Sequence, residues 1–299
     1  MTLQEHVHRG RLRLEQAGID ANEAGLDAEL LAREVLSWDL AAVLARSHEP
    51  APDGFPARYD ARISRRERRE PISYILGRRE FWGLDFEVGP GVLTPRPETE
   101  FIVEEAIERF AGPRHAKAGA DAPLVSAHPS RIADVGTGSG CLAISLALEF
   151  PAARLVATDI STAALDVARR NAKRHRVGDR IELSRTSLLT GVAGPFDLIV
   201  SNPPYVASGD VADLPPEVRD YEPREALDGG ADGLDVIRKL LAEAGSHLVP
   251  GGWLVFEFGF GQEEGVKDAV ARVPHLRLDR VRADLQGIPR TAVVRSSSR

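Results

Sequence analysis

The chain has 299 residues, enough for one large domain and a smaller one, and its 43% apolar and 28% charged residues describe a globular protein rather than a disordered one. A formal charge of −7 and a pI near 5.7 exclude a protein that wraps nucleic acid with a Lys/Arg excess, so no direct nucleic-acid binding is expected. The single cysteine, Cys141, excludes an intramolecular disulfide; with no metal-ligand spacing, signal core or membrane-length apolar run, a metal-free cytoplasmic protein off the membrane is expected.

From Thr2 to about Gly77 the period is helical. Leu26, Leu30, Leu31, Val35 and Trp38 recur at helical spacing while Asp27, Glu29, Arg33 and Glu34 fall on the other side, which predicts an amphipathic helix. A second helical stretch is predicted from about Pro56 to Leu76. Its arginines, Arg58, Arg62, Arg65, Arg66, Arg68 and Arg69, read as a solvated face salted with Glu67 and Glu70, with docking of an acidic partner as the other reading. His6 and His8 are expected at the surface.

Over Phe81 to Val88, Leu84, Phe86 and Val88 alternate against Asp85 and Glu87, a half-buried strand pattern that Gly89-Pro90-Gly91 ends. Thr94-Pro95-Arg96-Pro97-Glu98-Thr99-Glu100 then opens a helix through Phe101, Ile102, Val103 and Ile107. Residues 111–130 have no period and are expected to be a flexible loop. From Arg131 onward strands and helices alternate, which predicts a parallel sheet covered on both faces. The expected strands are Ile132 to Val135, Leu155 to Thr158, Ile181 to Leu183, Phe196 to Ser201 and Trp253 to Phe258. A terminal hairpin is expected from Leu276 to Val281 and Thr291 to Val294. Phe81, Trp82 and Trp253 read as packing groups and Cys141 as a small buried side chain.

Two constellations carry chemistry. Asp134-Val135-Gly136-Thr137-Gly138-Ser139-Gly140 lies between a predicted strand and a predicted apolar helix, Leu142 to Phe150, and its glycines allow a tight turn and close approach of a ligand. Asp159, at the end of the next strand, is placed to accept both hydroxyl hydrogens of a ribose; its other reading is an N-cap. The loop lacks the third glycine spacing of a dinucleotide fingerprint, which favours S-adenosylmethionine (SAM) over NAD.

The second constellation is Asn202-Pro203-Pro204-Tyr205, after the apolar strand that ends at Ser201. A planar NH2 group is a poor nucleophile because its lone pair is delocalised. The Asn202 side-chain oxygen and the Pro203 carbonyl can each accept one of its N–H groups, which aims the lone pair at a methyl donor and strengthens as those hydrogens become acidic. The prolines fix the carbonyl at small entropic cost, and Tyr205 can pack on the flat face of the acceptor. The acceptor nitrogen is an amide or an adenine amine on these residues alone.

These motifs stand in order with Arg79-Glu80-Phe81-Trp82, the Thr94 to Glu100 segment, Tyr221-Glu222-Pro223, Ala226-Leu227 and Gly229-Gly230, and as a set the chain resembles the release-factor glutamine methyltransferases (PrmC/HemK family). The resemblance implies an α/β class I SAM-dependent methyltransferase domain, Rossmann-like, with a mostly parallel sheet and a C-terminal antiparallel hairpin, over residues 97–299. A helical substrate-docking domain over 1–77 and a β-hairpin connector over 78–96 would precede it. It implies methylation of the side-chain nitrogen N5 of the glutamine in the Gly-Gly-Gln motif of peptide-chain release factors, with S-adenosylhomocysteine as product and a monomeric enzyme. By the same resemblance Gly136, Thr137, Gly138, Ser139, Gly140, Asp159 and Asn202 contact SAM, and Asn202, Pro203, Pro204 and Tyr205 hold the glutamine, with Asn202, Pro203 and Tyr205 catalytic. The family places an acidic and then an aromatic residue against the adenine after the third strand. Here the aligned pair is Thr186-Ser187, so the backbone at Ser187 is the expected contact, with Leu188 for packing. Glutamine methylation of a ribosomal protein and adenine-N6 methylation of nucleic acid are the competing activities.

Overall fold

The computed structural model describes residues 1–110 and 129–297, and the expected loop over 111–130 lies, apart from its last two residues, outside them. The chain divides into two compact units, Met1–Arg78 with Pro215–Tyr221, and Arg79–Leu214 with Glu222–Arg299. Among the described residues no helix is long and apolar enough to cross a membrane.

The first unit is helical: α1 (Leu3–Gln16), α2 (Ala21–Leu36), α3 (Leu40–Ala45), α4 (Phe55–Glu67) and α5 (Ile72–Leu76). Thr2 and Glu5 form a reciprocal capping box that starts α1. On α2 the buried face is Ala24, Asp27, Ala28, Leu31, Ala32 and Val35, a full helical stripe. The expected stripe is corrected by one position, for Leu26 is 70% exposed and Asp27 is buried. Alanines lining a close helix contact and a buried aspartate are both undervalued by counting large apolar residues. The helical stretch over Pro56 to Leu76 comprises two helices, interrupted where Arg69 takes φ 65° and Pro71 disfavours helical geometry at Glu70.

Arg66 corrects the reading of a solvated arginine face. Its side chain is 1% exposed, with Nε on Asp27 Oδ2 at 2.6 Å, Nη2 on Glu23 Oε1 at 2.7 Å and Nη1 on Glu217 Oε1 at 2.7 Å. Burial works against the Arg66 charge, but its hydrogen bonds to Asp27 and Glu217 prevail and raise its pKa. Asp27 is the opposite case, where burial outweighs the Arg66 bond and the carboxyl sits above its usual range. Arg69 donates to Glu217 Oε2 at 2.8 Å and Tyr221 to the Arg68 carbonyl at 2.7 Å, which holds segment Pro215–Tyr221 to this unit. His6 is also corrected, being buried with its ring edge-on to Phe55.

A two-stranded ribbon follows, β1 (Arg78–Phe81) and β2 (Leu84–Glu87); the residue pattern gave one strand over Phe81 to Val88, and the resemblance implied a hairpin over 78–96. Trp82 and Gly83, at φ 54° and 68°, make the two-residue turn between them. The cost of this conformation at a tryptophan is offset by Trp82 N–H donating to Glu100 and its indole N–H to Glu149, each at 2.8 Å. There follow α6 (Glu100–Phe110), β3 (Arg131–Val135), α7 (Cys141–Glu149), β4 (Arg154–Asp159), α8 (Thr162–Arg174), β5 (Ile181–Arg185), β6 (Phe196–Ser201), α9 (Pro216–Arg219, of the helical unit), α10 (Asp235–His247), β7 (Leu248–Glu257), α11 (Glu263–Ala271), β8 (Leu276–Ala283) and β9 (Pro289–Ser296).

The sheet order is β5-β4-β3-β6-β7-β9-β8, parallel from β5 to β7, with β9 antiparallel to both its neighbours. Central strands are apolar on both faces because each face is covered. Ile132, Leu155, Ala157, Leu198 and Val200 point into one core cluster, and Ala133, Val135, Val156 and Ile199 into the other. Strand order reverses between β3 and β6, so their carboxyl ends open a crevice.

Candidate active site

Val135 lies opposite Ser201 in the β3–β6 register, and Ser201 Oγ donates to the Val135 carbonyl at 2.7 Å. Gly136 and Asn202 are the next residues on these strands, so the two predicted constellations begin side by side, about 4.8 Å apart. Across β3 in the other direction Val135 pairs with Thr158, which sets Asp159 next to Gly136. Register alone therefore gathers loop 136–140, Asp159 and the Asn202 turn.

Gly136, Gly138 and Gly140 have φ of 73°, 55° and 83°. A Cβ at Gly136 or Gly138 would meet nothing within 4 Å, whereas one at Gly140 would crowd Ile144 at 3.1 Å and Ala168 at 3.2 Å. The first two glycines thus leave backbone open for a ligand, and the third lets the turn close on α7 and α8. The amides of Gly136 and Thr137 both donate to the Thr158 carbonyl at 2.9 Å, and Gly138 N–H donates to Asp159 Oδ2 at 2.9 Å. Asp159 Oδ1 accepts from Ser161 N–H at 2.8 Å, while Ser161 itself caps α8 by accepting from Ala164. The N-cap reading of Asp159 is thereby excluded, and each of its oxygens keeps a lone pair for a hydroxyl. Burial raises its pKa against the bonds from Ser161 and Gly138.

Asp134 is fully buried; its Oδ2 accepts from Thr137 Oγ1 at 2.6 Å and Ala143 N–H at 3.0 Å, and its Oδ1 has no partner. Burial outweighs these bonds and lifts its pKa from 3.8 to about 7. The folded state then binds more protons than the unfolded state between these values. Asp134 contributes stability that is fully present below pH 3.8 and lost as pH rises through about 7. Melting temperatures of ligand-free protein measured from pH 5 to 8 are expected to decline through this group, and Asp134→Asn to flatten that decline; parallel profiles for the two proteins would contradict it.

Asn171, absent from the sequence reading, fastens the glycine turn. Its Nδ2 donates to the Ser139 carbonyl at 2.8 Å and the Glu87 carbonyl at 3.0 Å, and its Oδ1 accepts from Glu87 N–H at 2.8 Å. Its one sequence signal is a polar residue in helical step with Ala164, Val167 and Ala168, and in the structure it is fully buried. Thr186 N–H donates to the Asp159 carbonyl at 3.1 Å, so exposed Ser187 stands beside the same strand end, and Leu188 packs against the adjoining core cluster.

The Asn202 turn is braced from three sides. Asn202 Nδ2 donates to Thr99 Oγ1 at 2.9 Å, Thr99 Oγ1 to Glu257 Oε2 at 2.6 Å, and the Tyr205 hydroxyl to Glu257 Oε1 at 2.9 Å. Burial, with Glu257 beside it, pushes the Tyr205 phenol pKa up, and burial also raises Glu257. Gln262 Nε2 donates to the Tyr205 carbonyl at 2.8 Å. Behind the turn, a Cβ on Gly229 would stand 2.7 Å from the Pro204 carbonyl oxygen and 2.8 Å from Tyr205 Cα, so only glycine fits. Buried Glu222 accepts from Thr94 N–H at 3.3 Å and from Arg96 at 2.5 Å. Two of the ordered sequence landmarks thus meet through one carboxylate, whose pKa burial raises against Arg96.

The glycine turn and the Asn202 turn share one crevice at neighbouring strand ends, and the chain is a class I SAM-dependent methyltransferase. Residues 5–77 match the family model described as PrmC N-terminal domain and residues 122–214 that described as Methyltransferase small domain. The chain is 42% identical to the release factor glutamine methyltransferase of Bradyrhizobium diazoefficiens over 91% of its length and 88% of the relative's, and 38% identical to that of Koribacter versatilis over 99% of both. It belongs to the release factor glutamine methyltransferase family. In fold it is similar to the hMettl16 catalytic domain solved in complex with MAT2A 3′UTR hairpin 6, at a TM-score of 0.56 and 17% identity over 80% of this chain and 82% of that one.

Proposed function

We propose that the chain transfers the methyl group of SAM to N5 of the glutamine in the Gly-Gly-Gln motif of peptide-chain release factors. The observation that carries this reading is the Asn202 amide, whose NH2 is spent on Thr99 so that its oxygen is left to accept a substrate N–H, in a chain about 40% identical to enzymes of that name. SAM, when bound, supplies an electrophilic methyl on a sulfonium.

The chain's own residues do the rest by positioning. Gly136 to Gly140 offer the open backbone, Asp159 the ribose acceptors, and half-exposed Ile160 together with Ser187 and Leu188 a wall for the base. Asn202 Oδ1 and the Pro203 carbonyl take the two amide hydrogens, and Pro204 and Tyr205 hold that carbonyl in place. This arrangement favours the pyramidal nitrogen of the transition state over the planar ground state. The helical unit, together with segment Pro215–Tyr221, serves as the docking module for the protein substrate.

Labelled SAM offered in parallel with release factor, ribosomal protein, DNA and RNA tests the assignment. Label is expected on the release factor. Label on nucleic acid or ribosomal protein with none on release factor overturns it.

A further inference from the structure

Glu257 is buried at the carboxyl end of β7, one residue past the Ser201–Phe256 pair, and no sequence motif pointed to it. It receives two hydroxyl groups, Thr99 at 2.6 Å and Tyr205 at 2.9 Å, on different oxygens. In the structure both hydroxyls donate, one to each carboxyl oxygen, so Glu257 acts as the acceptor of both. Thr99 has one hydrogen, and giving it to Glu257 leaves only lone pairs facing Asn202 at 2.9 Å. The Asn202 amide must therefore turn its NH2 toward Thr99, and its oxygen toward the opposite edge.

We propose that Glu257, acting through Thr99, is the positioning group that fixes which edge of the Asn202 amide faces the acceptor glutamine. This rests on the glutamine reading of the site. The reason such a device is needed lies in the chemistry. An asparagine side chain can present either a donor or an acceptor from nearly the same shape, and a flipped Asn202 would set NH2 against the N–H of the substrate. A donor opposed to a donor holds no hydrogen, aims no lone pair and repels the nitrogen from the methyl donor. Glu257 removes that alternative by accepting at the head of a chain of donors that runs through Thr99 to Asn202, and it pins the Tyr205 ring through its hydroxyl. Thr99 sits within the Thr94 to Glu100 landmark, which gives that segment a role in acceptor geometry.

Single-turnover methylation of release factor by Thr99→Val, Thr99→Ser, Glu257→Leu and the Thr99→Val/Glu257→Leu double variant tests this, with SAM affinity and melting temperature measured on each. Thr99→Val is isosteric and deletes only the relay hydroxyl. It is expected to lower the rate by about 10²-fold with SAM affinity within about threefold of wild type, and Thr99→Ser to recover most of the rate. The double variant is expected to be no slower than the slower single variant, because a broken relay cannot be broken twice. A Thr99→Val rate within threefold of wild type, or loss in the double variant equal to the product of the single losses, overturns the proposal. Wild-type protein that labels no release factor overturns the glutamine reading instead, so the two failures are distinct.

Discussion

Asn202→Ala is expected to lower methyl transfer to release factor by about 10³-fold while SAM still binds, because it removes one of two acceptors that strengthen as the amide nitrogen pyramidalises. A preorganised hydrogen-bonding group of this kind contributes about 2.7–4 kcal/mol to the transition state. The fold should survive the change. Asn202 is only partly buried and its side chain bonds to Thr99, whose own hydroxyl remains anchored on Glu257. Rapid-quench turnover with labelled SAM, alongside calorimetric SAM affinity, separates the two effects. A rate within tenfold of wild type would mean that the Pro203 carbonyl alone orients the substrate.

The largest expected stability effect belongs to Arg66→Ala. The guanidinium is 1% exposed and bonded to three carboxylates, of which Asp27 is itself only 8% exposed at its side chain. Removing it strands a buried acid and releases Glu217 from one of its two arginines. Breaking a buried pair in this way costs about 3–5 kcal/mol. Arg66→Lys should recover little, since an ammonium cannot reproduce a planar fork addressed to three acceptors. Urea unfolding followed by Trp38, the one tryptophan of the helical unit, reads this loss. An Arg66→Ala midpoint equal to that of wild type would show that the network contributes nothing net.

Much of the site was legible because its signals are local. The glycine turn, Asp159 and the Asn-Pro-Pro-Tyr segment each sit at a strand end, and strands with continuous apolar character, such as Phe196–Ser201, announce themselves. Parallel register then brings separate motifs together without any further cue. What escaped was long-range and polar. Glu257 gains its meaning from Thr99, which is 158 residues away, and Asn171 from Glu87, 84 residues away. The run of arginines on α4 looked solvated because charge is normally exposed, and only the contacts of Arg66 with Glu23, Asp27 and Glu217 reverse that expectation. The hairpin over 78–96 came from the resemblance and not from the residue pattern, because Trp82 is rarely used at positive φ and the bonds to Glu100 and Glu149 that hold it there come from other helices.

The most direct measurement is peptide mapping by mass spectrometry of release factor incubated with this enzyme and SAM. The expected result is a gain of one methyl group on the side chain of the Gly-Gly-Gln glutamine, present with wild type and absent with Asn202→Ala. Methylation at any other residue, or a gain that persists in Asn202→Ala, would contradict an acceptor site built on Asn202.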